Sequence, residues 1–332
     1  MTNAAMPGKT HGAAAPTGRR RWPHLRRVLT IAFFALVAVL LVSQARTIEW
    51  GEVFDVVRGY PAATLALAAV LAAASHLIYT TYDLLGRSWT RHGLPVRQVV
   101  AITFVSYAFN LNLGSLVGGF AFRYRLYSRF GLANDVTTRV LGLSLVTNWL
   151  GYLVLAGGVF AWQIITPPAG WTLGAAALQA LGVALLAAAA AYLLMCGWAR
   201  RRDWTLRGHT LTLPPLRLAL LQLLVSMSNW MMIAAVLYVL LQQEVDYGAV
   251  LGTLLLAAIA GVVTHVPAGL GVLEAVFIAL LGSSRPTGEL LGALIAYRGL
   301  YYLAPLVLAT GVYFVLEARA RKPARERQLP VS

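Results

Sequence analysis

The sequence predicts an all-α polytopic membrane protein of about six full spans plus two opposed re-entrant helical hairpins, with the marks of an inverted repeat. Three observations predict it. Hydrophobic residues fill 59% of the 332 positions and charged residues only 12%, against about 25% charged in a soluble domain. The basic residues are confined to the two tails and a few short connectors. Two apolar segments are interrupted by glycine, proline and polar residues that a plain span has no use for.

The apolar segments fall at 28–45, 61–86, 98–122, 138–165, 173–198, 216–241, 248–281 and 290–316. Each approaches or exceeds the roughly 20 residues that cross a bilayer. Residues 1–27 form a basic tail, 28–317 a single transmembrane domain and 318–332 a second basic tail. The first run, "VLTIAFFALVAVLLVS", leads into an "SQA" that loosely resembles a signal-peptidase site. The run and its leader are long for a signal peptide, so an uncleaved first span is expected. The connectors "RSWTRHGLPVR", "RYRLYSRFGLANDVTTR" and "ARRRDWTLRGHTLTLPPLR" and the tail "EARARKPARERQ" are rich in arginine. By contrast "QQEVDYG" is acidic and "ITPPAGW" uncharged.

Basic loops stay cytoplasmic. That rule places both termini and the loops at 87–97, 123–139 and 199–217 on the inner side. Eight simple spans violate it. The third segment would begin and end inside, and the seventh would begin and end outside. The conflict disappears if these two are hairpins, one entering from each face, with six full spans around them.

The breaks lie where hairpin tips are needed. The third segment holds "NLNLGSLVGGF", with Gly114, Gly118 and Gly119, and the seventh holds "HVPAGLG", with Pro267, Gly269 and Gly271. Non-helical backbone at membrane depth survives only where protein or a water-filled cavity satisfies its polar groups, so both tips are expected to face an interior cavity. Arg123 follows Gly118 by five residues and Glu274 follows Gly269 by five. Broken helices at matching positions of two opposed halves mark inverted-repeat transporters.

The net charge of +15 sits in tails and short loops, a pattern for an anionic leaflet and not for nucleic acid. The lone Cys196 excludes an internal disulfide. No P-loop, HExxH, CxxC or G-x-S-x-G motif is present, and no cofactor or metal is expected.

Ionisable residues at membrane depth are expensive and usually line a pathway. Asp83, Glu274 and Arg298 are of this kind, and Arg123 and Arg125 follow the first break. Glu274 and Arg298, on adjacent segments, are a natural pair. They are either a buried structural pair or a cavity wall in which Arg298 meets a lipid phosphate. Asp83 has a local partner in Arg87, one turn on. Half-helix N-termini after each break add positive partial charge. His265 precedes Pro267 at the second tip, either as a satisfied polar residue or as a group that follows protons. Asn110, Asn112, Asn148 and Asn229 serve interhelical hydrogen bonding or cavity lining.

At "YTTYDLLGR", "VSYAFNLNLGSLVGGFAFRYRLYSRFGL", "LSLVTNWLGYLVLAG", "HVPAGLGVLEAVFIALL" and "AYRGLYYLAPLVLA" the chain closely resembles the bacterial inner-membrane lysylphosphatidylglycerol synthase transmembrane-region family. The resemblance spans about residues 26–318 and implies a flippase-like membrane domain. In two-part members of the family such a domain moves aminoacylated lipid between leaflets, while a separate cytosolic domain makes the lipid. This chain ends at its basic tail, so synthase activity is not expected to carry over. The residues that match the family's polar motifs are Asp83, Asn110, Arg123, Arg125, Asn148, Glu274 and Arg298. The expected function is a non-enzymatic lipid translocase acting on membrane phospholipids. The alternatives are a lipid-binding scaffold beside a lipid-synthesising enzyme, or an integral-membrane transferase with Glu274 as base.

Overall fold

The computed structural model describes residues 58–165, 174–199, 203–206, 209–264 and 269–326, with isolated positions 39, 55 and 167; of 203–211 and 321–326 it describes the backbone alone. Among the described residues ten α-helices run in order: α1 Ala62–Thr90, α2 Val96–Leu113, α3 Phe122–Arg129, α4 Asn134–Ala161, α5 Ala175–Trp198, α6 Leu216–Leu240, α7 Tyr247–Thr264, α8 Val272–Leu281, α9 Thr287–Tyr297 and α10 Ala304–Glu326. Two π-helical turns, Ser115–Ala121 and Arg298–Leu303, join α2 to α3 and α9 to α10. A short antiparallel ribbon, β1 Asp203–Leu206 with β2 His209–Thr212, occupies the basic connector between α5 and α6. Pro61, Pro95, Pro215 and Pro286 each stand directly before a helix, where a fixed φ suits the approach to the first turn.

Six described helices are long and apolar enough to cross a membrane: Ala62–Thr90, Asn134–Ala161, Ala175–Trp198, Leu216–Leu240, Tyr247–Thr264 and the composite Thr287–Ala320. Five of them correspond to expected full spans. The sixth, α7, is the first arm of the second expected hairpin and has length enough by itself. The expected first span, 28–45, lies outside the described residues apart from position 39. Trp162, after α4, and Trp198, at the end of α5, are 73% and 80% exposed. They lie at opposite ends of an antiparallel helix pair, as interfacial aromatics do.

Helices α1, α4 and α6 pack on one another as a frame, with α5 on the outside of α4. Lipid tails are as apolar as leucine, so close approach and polar bonds must hold such helices together. Where α4 meets α6, a Cβ on Gly151 would lie 2.6 Å from Met227 N. Gln222 Nε2 donates to Thr147 Oγ1 at 2.7 Å and its Oε1 accepts from Tyr192 OH at 2.9 Å, joining α4, α5 and α6. Ser226 Oγ and Trp230 Nε1 both donate to the Asn148 carbonyl.

The chain doubles back after α2. Gly114 adopts φ 80°, ψ 170°, a conformation open to glycine. The π-helical turn then folds onto α2, and Phe122 stacks on Phe109 at 4.2 Å between centroids. The returning α3 has eight residues, about 12 Å at 1.5 Å per residue, too short to cross a bilayer. A second short arm, α8, follows Gly269 and Gly271, at φ 58° and 76°, and packs against α7. Its ten residues reach about 15 Å. His265 and Pro267, named above for this tip, lie outside the described residues.

Candidate functional site

A cavity of about 650 Å³ opens between the two chain reversals. Asn110, Gly114, Ser115, Gly119 and Arg123 line it from the first reversal, and Gly269 and Leu273 from the second. Ser144, Asn148 and Trp149 of α4 and Trp230 of α6 close one side; Tyr79, Tyr107, Tyr297, Tyr301 and Tyr302 form a wall of tyrosines. Arg123 is the one formally charged residue among those described as lining it.

Arg123 is 4% exposed. Its Nε donates to Asp83 Oδ2 at 3.0 Å and its Nη1 to the Gly119 carbonyl at 3.4 Å. Nη2 is buried and has no hydrogen-bond partner among the described residues. The guanidinium lies 5.7 Å from the Tyr79 ring centroid, within cation–π range. Asp83 stands behind it, fully buried, and Oδ2 also accepts from Tyr127 OH at 2.8 Å. The local alternative does not form, because Arg87 Nε donates to the Leu94 carbonyl instead. Asp83 therefore orients Arg123 and does not itself line the cavity. Asn110 Oδ1 is buried beside Gly119 with no hydrogen-bond partner among the described residues, so an acceptor and a cationic donor without such partners flank the same glycine.

Glu274 and Arg298 meet as a two-pronged pair, Nε to Oε1 at 2.7 Å and Nη2 to Oε2 at 3.1 Å. Arg298 Nη2 also donates to the Gly269 carbonyl at 3.2 Å and stands 5.7 Å from the Tyr302 ring. Glu274 lies in the first turn of α8, where the helix dipole favours a carboxylate. The pair is not among the residues lining the cavity, although Gly269 and Tyr302 are. With both prongs satisfied by each other, it braces the second tip from behind.

Arg125 departs from the site as well. It is two residues from Arg123, nearly opposite on the helix, and donates to Tyr313 OH at 3.0 Å and Glu317 Oε1 at 3.3 Å. Arg129 reaches the same carboxylate at 2.9 Å. These contacts tie the first reversal to α10 near its basic end. Asn148 lines the cavity; Asn112 Nδ2 bonds the Tyr302 carbonyl, and Asn229 Oδ1 accepts from Ser75, so these two serve interhelical bonding. The tyrosine wall was not foreseen, because an aromatic in an apolar segment reads as core.

On the connector after α1, His92 is 8% exposed, with Nδ1 accepting from Leu94 N at 3.4 Å. Burial, and next the Arg87 guanidinium, push its imidazole below the ordinary value, against the Asp83 carboxylate. The unfolded chain titrates near 6.5, so it takes the proton first. The stability that neutral His92 contributes is present above about pH 6.5 and is lost as pH falls below it. The melting temperature is expected to drop from pH 7.5 to 5.5, and less so in His92→Gln.

Residues 27–309 match the family model described as the lysylphosphatidylglycerol synthase TM region. The chain is 47% identical over 303 residues to the inner membrane protein YbhN of Escherichia coli, covering 91% of this chain and 95% of that one. It is 29% identical over 311 residues to the uncharacterized protein slr0712 of Synechocystis, 91% and 96% covered. It is 24% identical over 300 residues to the phosphatidylglycerol lysyltransferase of Staphylococcus haemolyticus, spanning 85% of this chain and 34% of that protein.

Proposed function

Because the chain belongs to the lysylphosphatidylglycerol synthase transmembrane-region family, we propose that it is a lipid translocase of the inner membrane, moving an anionic or aminoacylated phospholipid between leaflets. The observation that carries this reading is the cavity itself. Both chain reversals line it, its walls are largely apolar and aromatic, and among the described residues its one charged lining residue is a buried arginine whose Nη2 has no hydrogen-bond partner. The N–H groups of a guanidinium Nη2 suit phosphate because such charge-assisted hydrogen bonds are short and strong. The head group would enter with its phosphate at Arg123 and a neighbouring donor toward Asn110, while the acyl chains stay among lipid. The name of the staphylococcal relative points to phosphatidylglycerol as the first lipid to try. The transferase activity in that name is not carried over, since the likeness covers 34% of that protein.

In the same reading the two reversals are re-entrant hairpins from opposite faces, both termini are cytoplasmic, and rocking about the cavity gives alternating access. A lipid-synthesising enzyme would be the natural partner. Reconstituted protein is expected to speed the equilibration of labelled phosphatidylglycerol across vesicles. No acceleration for any phospholipid or polyprenyl phosphate would overturn the proposal. Glu274→Gln frees Arg298 from its brace, and a lost charged hydrogen bond costs about 1.5–3 kcal/mol. A roughly tenfold or larger fall in rate is expected, with lipid binding retained. A scaffold would show no transport to lose.

A further inference from the structure

His76 lies on α1 behind the tyrosine wall and is 3% exposed. Its Nδ1 is 2.9 Å from the Ala72 carbonyl, one turn back. A carbonyl only accepts, so Nδ1 carries the proton and the lone pair is on Nε2. Nε2 is buried with no hydrogen-bond partner among the described residues. A bare acceptor at membrane depth is unfavourable, and a purely apolar ring would fill the same space without it.

Three aromatic rings surround the imidazole: Tyr301, Tyr107 and Phe104 place their ring centroids 4.8, 5.1 and 6.0 Å from it, tilted or edge-on. The titratable groups that face His76 are Tyr107 from α2 and Tyr301 from the second π-helical turn. Asp83 with Arg123 and Glu274 with Arg298, on the elements packed here, are already paired.

Tyr107 and Tyr301 line the cavity and His76 does not. The two rings are held by a directed chain of hydroxyls. Ser75 Oγ donates to Asn229 Oδ1 at 2.8 Å, so it accepts from Tyr301 at 2.7 Å, and Tyr301 in turn accepts from Tyr107 at 3.0 Å. Tyr107 is left as the open acceptor. A head-group donor can bond Tyr107 at that open lone pair while the chain stays intact.

The lipid site is wired to the same place. Arg123 lies over Tyr79, Tyr79 stacks on Tyr107 at 3.6 Å, and Tyr107 meets His76. A phosphate arriving at Arg123 offsets a positive charge that opposes a second one at His76. Proton and lipid then bind better together than apart, and the effect is reciprocal.

We propose that His76 is a proton-binding site that couples lipid movement to a proton gradient, a step that rests on the translocase reading. Nε2 takes a proton from cavity water facing one side and returns it to water facing the other, one proton per lipid. On loading, an O–H bond of hydronium breaks as the Nε2–H bond forms and neutral water is left; on release the N–H bond breaks and hydronium forms again.

The test uses the full chain in vesicles of phosphatidylethanolamine and phosphatidylglycerol, with a trace of fluorescent phosphatidylglycerol. A difference of one pH unit is expected to enrich the probe in one leaflet by up to about tenfold, and reversing the gradient reverses the enrichment. His76→Gln still equilibrates the probe but ends evenly distributed with or without the gradient. If His76→Gln fails to fold, Tyr301→Phe keeps the ring, removes the link to Ser75 and is expected to shrink the enrichment by leaking protons. A wild-type protein that equilibrates the probe yet ignores the gradient overturns the coupling and leaves the translocase reading standing. Full enrichment by His76→Gln overturns the coupling too. Absence of any equilibration overturns both.

Discussion

The double variant Asp83→Asn/Arg123→Gln is expected to fold where either single variant is badly destabilised, and to move no lipid. The two side chains are 0% and 5% exposed. Removing one partner of a buried ion pair leaves an uncompensated charge and costs about 3–5 kcal/mol. Removing both charges leaves two amides of similar shape, and an amide at position 83 can still accept from Tyr127. Stability should therefore return while the guanidinium stays absent. If Arg123 only held the helices together, restoring stability would restore transport. If its unpaired Nη2 receives a phosphate, transport stays down by at least about hundredfold, the consequence of losing two charge-assisted hydrogen bonds. Melting in detergent and probe equilibration in vesicles read the two effects separately. A double variant that melts like wild type and transports like wild type sinks Arg123 as the head-group residue.

The same pair shows where reading from sequence stops. Asp83 has Arg87 one turn away, and local pairing is what spacing alone suggests. The observed partner is 40 residues off, on the far side of a chain reversal. Glu274 and Arg298 were legible as a pair because no charged residue competes for Glu274 nearby. Their placement behind the cavity was not, since rotation about a helix axis is set by packing, and segments that are apolar on every side carry no periodic signal for it. The two reversals were legible for a different reason: glycine, proline and asparagine inside oil have few explanations. The tyrosine wall was hidden by the opposite fact, since Tyr79, Tyr107 and Tyr301 come from three distant segments and each alone passes for core. The ribbon in the basic connector did leave a trace, in the alternating "TLRGHTLTL" about a glycine, outweighed there by the arginines.

The two tips also share a device. Each has an arginine, held by a carboxylate, that donates to a glycine carbonyl of the turn: Arg123 to Gly119 and Arg298 to Gly269. In the first, the return arm α3 carries the arginine and the frame helix α1 the acid. In the second, the return arm α8 carries the acid and the arginine opens the π-helical turn after α9. The charges are exchanged while the geometry is kept. Arg123 keeps an Nη2 with no hydrogen-bond partner among the described residues, whereas Arg298 forms two bonds to its acid.

Gly118→Ala is expected to open the first tip, with a loss of more than about 3 kcal/mol, because the obstacle is backbone. A Cβ there would lie 2.1 Å from Asn110 N and 2.2 Å from Phe109 C. A side chain could rotate away; a helix cannot. The π-helical turn would have to lift from α2 by about an ångström, which unstacks Phe122 from Phe109 and draws Arg123 off Asp83. Gly114→Ala tests the turn by another route. Its φ of 80° with ψ of 170° strains an L-residue by about 1–3 kcal/mol, yet nothing lies within 4 Å of the added carbon. Gly142→Ala, inside α4 and with nothing within 4 Å, should be neutral or stabilising by up to about 1 kcal/mol. The melting temperatures should therefore fall in the order Gly142→Ala, Gly114→Ala, Gly118→Ala, with transport lost in the last. A Gly118→Ala protein as stable as wild type would mean that the turn does not close on α2. The cavity, whose wall runs from Asn110 to Arg123, would then lose the frame that holds its one cation in place.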